Sequence, residues 1–224
     1  LDEAYKSAIT SLDIGLIGRN IGISKRLSSL ILTHFDKDGR FLDYGGGYGM
    51  LVRIMRDSGF DFYRFDTYCD NLFARHFDLE DSKSSNFELL TAFELFEHLE
   101  NPAEELTKML QYSDSIFFST ELVPSQQLKS VKDWWYFTPE TGQHIALYSE
   151  QSLHALARRF NCNYYTDGKT LHLITRRKLN PSLFRFSINP RVARVVAKVR
   201  NQKSLLSNDF NLIRNSLSSN ENPL

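Results

Sequence analysis

Several things that would each announce a class of protein are scarce in this sequence. There are two cysteines in 224 residues, Cys69 and Cys162, far apart and without a CxxC pair. That spacing suits a reducing compartment and free, inert thiols. No apolar run approaches the length that spans a bilayer and the N-terminus carries no signal-peptide core, so a cytoplasmic setting is expected. A first residue of Leu1 in place of Met fits a missing or processed N-terminal segment. An excess of either charge is also lacking: 27 Lys and Arg balance 27 Asp and Glu, so global charge points to no polyanionic partner. What is present, 42% hydrophobic and 13% aromatic residues, suits one compact domain with a sizeable core and a short appendage.

One more absence is informative. Phe41-Leu42-Asp43-Tyr44-Gly45-Gly46-Gly47-Tyr48-Gly49 runs from a short apolar strand through an acid into glycines spaced D-x-G-x-G-x-G. Glycine tolerates backbone angles that a side chain forbids and lets the main chain approach a ligand closely. A turn that opens a helix leaves amide donors for a ligand carboxylate. The dinucleotide fingerprint needs glycine at position 50, where Met50 stands, which argues against NAD.

Periodicity places the neighbouring elements. Leu27, Leu30, Ile31 and Phe35 predict an amphipathic helix over Ser24 to Phe35. A strand from Arg40 to Tyr44, a helix from Met50 to Asp57 stopped by Ser58 and Gly59, and a strand from Asp61 to Asp66 follow. Asp66, 19 residues beyond Gly47, ends that strand where a carboxylate accepts from both ribose hydroxyls of a nucleoside. Residues 67–86 are polar and short for a complete strand-helix unit, leaving the third strand abbreviated or hidden. Phe87 to Ala92 reads as the next parallel strand. Asn101 as N-cap, Pro102 at the first helical position and Glu104 and Glu105 in the first turn then start a helix. Glu94, Glu97 and His98 fall between this strand and helix, outside the carboxyl ends of the strands, where ligands of open α/β sheets lie.

The stretch from Thr91 to Leu99 followed by Asn101-Pro102, with the acidic-x-G-x-G-x-G of Asp43 to Gly49, resembles the motifs of class I S-adenosylmethionine (SAM) dependent methyltransferases. The resemblance runs from about Gly22 to Arg177. It takes in an apolar strand at Ser115 to Thr120, a helix at Ser149 to Phe160, and a hairpin from Cys162 to Thr175 turning at Asp167-Gly168. It implies a three-layer, Rossmann-like α/β fold with a mostly parallel seven-stranded sheet and an antiparallel C-terminal hairpin. SAM is the implied cofactor, with Asp43, Gly45, Gly46, Gly47, Tyr48 and Gly49 around its methionine part, Asp66 on its ribose, and Phe93 and Glu94 bordering the reactive end. The third strand departs from the family pattern, which leaves the adenine contact unassigned.

Both tryptophans sit side by side in Trp134-Trp135-Tyr136-Phe137, within the 121–148 connection. A run of four aromatics either caps a core or forms a water-excluding platform for the methyl acceptor; on the second reading Trp134, Trp135, Tyr136 and Gln143 bind substrate. Methyl transfer needs alignment and a base for a weak nucleophile. His144 is the preferred base, imidazole titrating near neutral pH, with Glu97 and His98 as further catalytic candidates. Glu94, Glu97, His98 and His144 also form a pattern similar to that of small-RNA 3′-terminal 2′-O-methyltransferases, in which a metal grips ribose hydroxyls. Such mixed oxygen and nitrogen ligands suit Mg²⁺, Mn²⁺ or Zn²⁺.

After Arg177 the chain turns basic: Lys169 to Ser207 holds ten Lys or Arg and no acid, with Val192, Val195, Val196 and Val199 along an expected helix. Such a helix packs on the domain with a solvated cationic face, or meets a phosphate-bearing acceptor, an RNA end, an anionic membrane surface or a partner subunit. Ser216 to Leu224 is polar and expected to fray. The sequence is therefore read as a SAM-dependent methyltransferase domain, residues 1–178 including N-terminal helices, with a basic helical extension at 179–224. It acts on a small polar acceptor, with a saccharide or nucleotide-linked intermediate in view. A metal-assisted RNA 2′-O-methyltransferase and a noncatalytic SAM-binding protein are the alternatives. Nothing in the sequence speaks to oligomeric state.

Overall fold

A computed structural model describes residues 14–140 and 142–220. The part of the expected N-terminal helices on residues 1–13 and the tail at 221–224 lie outside the described residues. The first helix, α1, spans Leu16–His34 and buries Leu27, Leu30 and Ile31 from one face. It begins at Leu16 rather than Ser24 because its serines do not act as stops. Ser24 and Ser28 are buried and their hydroxyls donate back to the carbonyls of Ile21 and Ser24 inside the helix.

From there the chain alternates: β1 (Arg40–Tyr44), α2 (Met50–Asp57), β2 (Asp61–Phe65), β3 (Leu89–Ala92), α3 (Pro102–Met109) and β4 (Ser115–Ser119). Then come α4 (Glu150–Arg159) and the hairpin β5 (Asn163–Thr166) and β6 (Leu171–Thr175). The sheet order is β2-β1-β3-β4-β6-β5. The first four strands are parallel, and β6 runs antiparallel to both β4 and β5. Residues of β3 and β4 are buried throughout, as expected of strands covered on both faces. Strand alternation divides the core: Phe41 and Phe117 pack with Leu27 and Ile31 of α1 on one side, while Leu42 and Phe118 pack with Phe96 and Leu106 on the other.

Among the described residues the sheet has six strands, not the seven expected. The missing one would fall in chain order between β2 and β3, where the chain forms a short 3₁₀ turn at Leu79–Ser82 and, among the described residues, shows no β-pairing with β2 beyond an isolated bridge between Arg64 and Asp78. Side chains in this stretch take the backbone groups a ladder would need. Asp78 and Asp81 cap one another's amides, and Ser84 Oγ donates to the Asn86 carbonyl.

The extension after β6 packs back on the domain as α5 (Pro181–Ser187), α6 (Pro190–Val199) and α7 (Leu206–Asn220), with α6 lying along α1. Buried Asp209 holds α7 down, accepting from Arg56 at 2.8 Å and Arg53 at 2.7 Å. The polar stretch from Ser216 is thus helical as far as Asn220, at the end of an anchored helix, where fraying was expected.

Candidate active site

The glycine loop joins β1 to α2 at the carboxyl end of the sheet. Gly45, Gly47 and Gly49 have φ of 71°, 53° and 82°, a region side chains rarely adopt. A Cβ on Gly49 would also stand 2.7 Å from Asn71 Oδ1. The amides of the four glycines are largely spent inside the protein. Gly45 and Gly46 donate to the Phe65 carbonyl, Gly49 to Gly46, and Gly47 to Asp66 Oδ2 at 2.8 Å. The loop therefore offers a ligand close backbone approach and the opening turn of α2 rather than a ring of glycine amides.

Asp66, expected as the last residue of β2, follows that strand directly and is half-buried. Besides Gly47, it accepts from the amides of Tyr68 and Cys69, both 2.8 Å from Oδ1, so the same carboxylate shapes the turn after β2. Asp43, the last residue but one of β1, is buried and accepts from Thr91 Oγ1 at 2.6 Å. Burial drives its carboxyl up to about 7; the Thr91 bond opposes this, the Asp66 charge adds to it, and Arg64 opposes it. Arg64 lies beneath the loop. Its guanidinium donates to the carbonyl of Gly47 and to that of Cys69 at 2.9 Å, while Asp78 accepts from Nε at 2.7 Å.

Across the crevice, the segment after β3 makes a 3₁₀ turn at Phe96–His98. Glu94 precedes it with φ of 52°; its carboxylate accepts from Ser119 Oγ at 2.7 Å and faces Arg19 Nε at 3.8 Å. The turn is stitched to a distant strip of chain. Ile145 and Ala146 both donate to the Glu97 carbonyl at 2.9 Å, and the Tyr148 hydroxyl to that of Phe96. This seam brings His144 to His98, their ring centroids 5.0 Å apart.

Glu97, His98 and His144 offer ligand atoms all within 4.8 Å of one another. Glu94, expected to join them, is outside this group because Ser119 and Arg19 engage its carboxylate. Nδ1 of His98 lies 2.9 Å from the Gln143 carbonyl, and Nδ1 of His144 lies 2.6 Å from that of Tyr136. A carbonyl accepts only, so each Nδ1 carries the proton and each lone pair sits on Nε2, the arrangement of a metal-binding imidazole. Burial, opposed by the Gln143 bond, holds His98 down at about 4. Glu97 is fully buried, and neither carboxyl oxygen makes a well-formed hydrogen bond. Burial first and the charge of Glu94 second push its carboxyl above the usual range, against weaker help from the nearby Tyr136 and Thr120 hydroxyls.

The aromatic run divides by role. Trp134 is 6% exposed and packs on Tyr136 and Phe137, away from the cavity that the other residues line. Trp135 is 69% exposed at the rim, and Tyr136 is buried with its ring 4.4 Å from that of His144. One cavity of about 910 Å³ has walls that include the glycine loop, Asp66, Phe93, Glu94, Glu97, His98, Trp135, Tyr136, Gln143 and His144. Its lining has seven acids against two cations, Arg19 and Lys108. A smaller chamber of about 350 Å³ shares Arg19, Glu94, Trp135 and Tyr136 with it and adds Arg26, Glu121 and the hydroxyl residues Ser119, Thr120 and Thr170. Of the residues in this geometry, Arg64, Thr91, Ser119 and Arg19 were not singled out from sequence. Arg64 alone left a trace there, as a cation inside an apolar strand.

The family model of the methyltransferase domain matches residues 20–166. The chain belongs to that family, the class I SAM-dependent methyltransferases. No curated protein matches the sequence. Among solved structures it is similar to CalO1, a methyltransferase in calicheamicin biosynthesis bound to S-adenosylhomocysteine (SAH), at 12% identity and a TM-score of 0.47. That match covers 68% of this chain and 54% of CalO1, so the chain spans about half the length of that relative. It is similar to the plantazolicin methyltransferase BpumL bound to SAH at 16% identity, 71% and 84% coverage and a TM-score of 0.48. It is also similar to a putative methyltransferase complexed with the Haloferax volcanii Trm112 activator, at 10% identity, 72% and 95% coverage and a TM-score of 0.49.

The cavity suits the family's cofactor. SAM carries a sulfonium and an ammonium, and an acid-rich wall complements both charges. The left-handed glycines and Asp66 stand on the same wall. Among the described residues no helix is long and apolar enough to cross a membrane.

Proposed function

We propose that this methyltransferase acts on a small, polar, hydroxyl-bearing acceptor such as a saccharide, held between the Trp135–Tyr136 rim and His144. The observation that carries the reading is the acid-rich cavity onto which the glycine loop, Asp66 and His144 all open. An acid-lined wall repels phosphate, which weighs against an RNA end and against a nucleotide-linked acceptor. The side chamber, with paired charges and three hydroxyl residues as donors and acceptors, suits a polyol.

SAM supplies, when bound, a methyl group on a positively charged sulfur. Asp43, Gly45 to Gly49 and Asp66 hold it in this reading, with Phe93 and Glu94 beside the reactive end. His144 takes the acceptor's proton on Nε2, since the Tyr136 carbonyl fixes its proton on Nδ1. Trp135 and Tyr136 exclude water and align the acceptor, while Trp134 secures the loop from behind. Gln143 presents His98 through its carbonyl. Two free cysteines accord with a reducing, cytoplasmic setting.

A second reading rests on the convergence of Glu97, His98 and His144. A buried carboxylate with no good partner and two imidazoles protonated on Nδ1 would hold a divalent cation such as Mn²⁺, Mg²⁺ or Zn²⁺, which would supply Lewis acidity to an acceptor hydroxyl. Metal analysis of protein purified without chelator separates the two: occupancy lost in Glu97→Ala supports the metal, and no binding under added Mn²⁺ discards it.

The main reading is tested by incubating the protein with isotopically labelled SAM and a metabolite extract and identifying labelled products by mass spectrometry. A labelled saccharide-type product supports it. Labelled RNA favours the nucleic-acid alternative, and SAM binding with no product from any extract makes this a noncatalytic binder.

A further inference from the structure

The C-terminal helices carry a surface that methyl transfer does not use. On α6 the outward residues are Arg191, Arg194, Val195, Lys198 and Val199, all exposed. Val195 and Val199, one helical turn apart, are 60% and 72% exposed, and Phe186 on the adjoining α5 is 59% exposed. At 100° per residue Val195 lies about 40° from Arg191 and about 60° from Lys198 on the wheel, with Val199 about 40° beyond it. From Lys178 to Arg214 the sole acid is Asp209, which is buried in its pairs with Arg53 and Arg56. The outward face of α6 therefore joins cations to bare apolar side chains, with no carboxylate from this segment to neutralise them.

We propose that this face docks on the surface of an anionic lipid bilayer. Charge complementarity is met by acidic headgroups, as it would be by a nucleic acid, but the valines separate the two. A phosphodiester backbone gains nothing from exposed aliphatic groups beside its cationic contacts, whereas an interfacial helix buries its apolar residues at the acyl boundary while Lys and Arg stay among the headgroups. A helix of this length lies in the interface and does not span it. Because α6 packs along α1, whose Leu16, Arg19, Asn20 and Ile23 line the cavity, docking places one wall of that cavity next to the bilayer.

Co-sedimentation of the full chain with phosphatidylcholine vesicles, with and without phosphatidylglycerol, tests this directly. Retention is expected on the anionic vesicles only. An Arg191→Glu/Lys198→Glu variant is expected to lower partitioning by at least about tenfold, and Val195→Ser/Val199→Ser by severalfold with an unchanged melting temperature. As an independent readout, Val199→Trp adds emission that moves to shorter wavelength with anionic vesicles and stays put with neutral ones. No retention on anionic vesicles at low ionic strength overturns the proposal. So does retention that ignores the valine substitutions and is matched by equal binding to RNA, which marks the face as a plain polyanion site.

Discussion

Arg64 donates to the carbonyl oxygen of Gly47, so a cation buried at the end of β2 grips the glycine loop from beneath. It holds Cys69 and Asp78 at the same time, tying the loop, the turn after β2 and the chain that follows into one unit. Replacing Arg64 by Met is expected to weaken SAM binding by about tenfold or more in calorimetry. The fold should lose about 1–3 kcal/mol, because two carbonyls and a carboxylate lose their donor. Lysine, a single point donor without the planar fork, should recover only part of the affinity.

Asp43 gives the protein a pH dependence of definite sign. Its carboxyl is raised to about 7 by burial, above an unfolded-chain value of about 4. The native state therefore holds this proton more tightly than the unfolded chain does. The stability it contributes is complete below about pH 4 and is lost as pH rises through about 7. Asp43→Asn, a neutral isostere, should melt with a flatter pH profile. Without SAM it should gain on the wild type by up to roughly 4 kcal/mol toward pH 8. Parallel melting curves of the two proteins across that range would refute the assignment.

The two tryptophans should respond in opposite ways. Trp134→Ala removes a buried ring and is expected to cost about 3–5 kcal/mol in chemical denaturation. Trp135→Ala, at the exposed rim, should leave stability within about 0.5 kcal/mol while raising the acceptor KM and sparing that for SAM.

His144→Ala is expected to lower kcat by about 10²-fold or more with SAM affinity retained, as for loss of a general base. An undiminished turnover number would end its candidacy. Asp66→Ala should show the reverse emphasis, with weaker SAM binding seen directly by calorimetry. It removes the acceptor for the Gly47, Tyr68 and Cys69 amides along with the ribose contact proposed for it.

The sequence by itself determined the elements whose causes are local. The bounds of β1 and α2 follow from an apolar run and the glycines and serine that flank it, and α3 starts where Asn101 accepts from the Glu104 amide. The glycine loop and Asp66 were legible for the same reason, since strand ends and turn residues lie a few positions apart. Tertiary structure alone decided the rest. It reduced the third strand to one bridge, because Asp78, Asp81 and Ser84 satisfy backbone groups locally. It left Glu94 with Ser119 and Arg19 while joining Glu97 and His98 to His144 through a backbone seam across nearly fifty residues. It also sent Trp134 inward and Trp135 outward. Local preference acts over about one helical turn, whereas these contacts depend on which loops the closed sheet brings together, and that is settled only when the core packs.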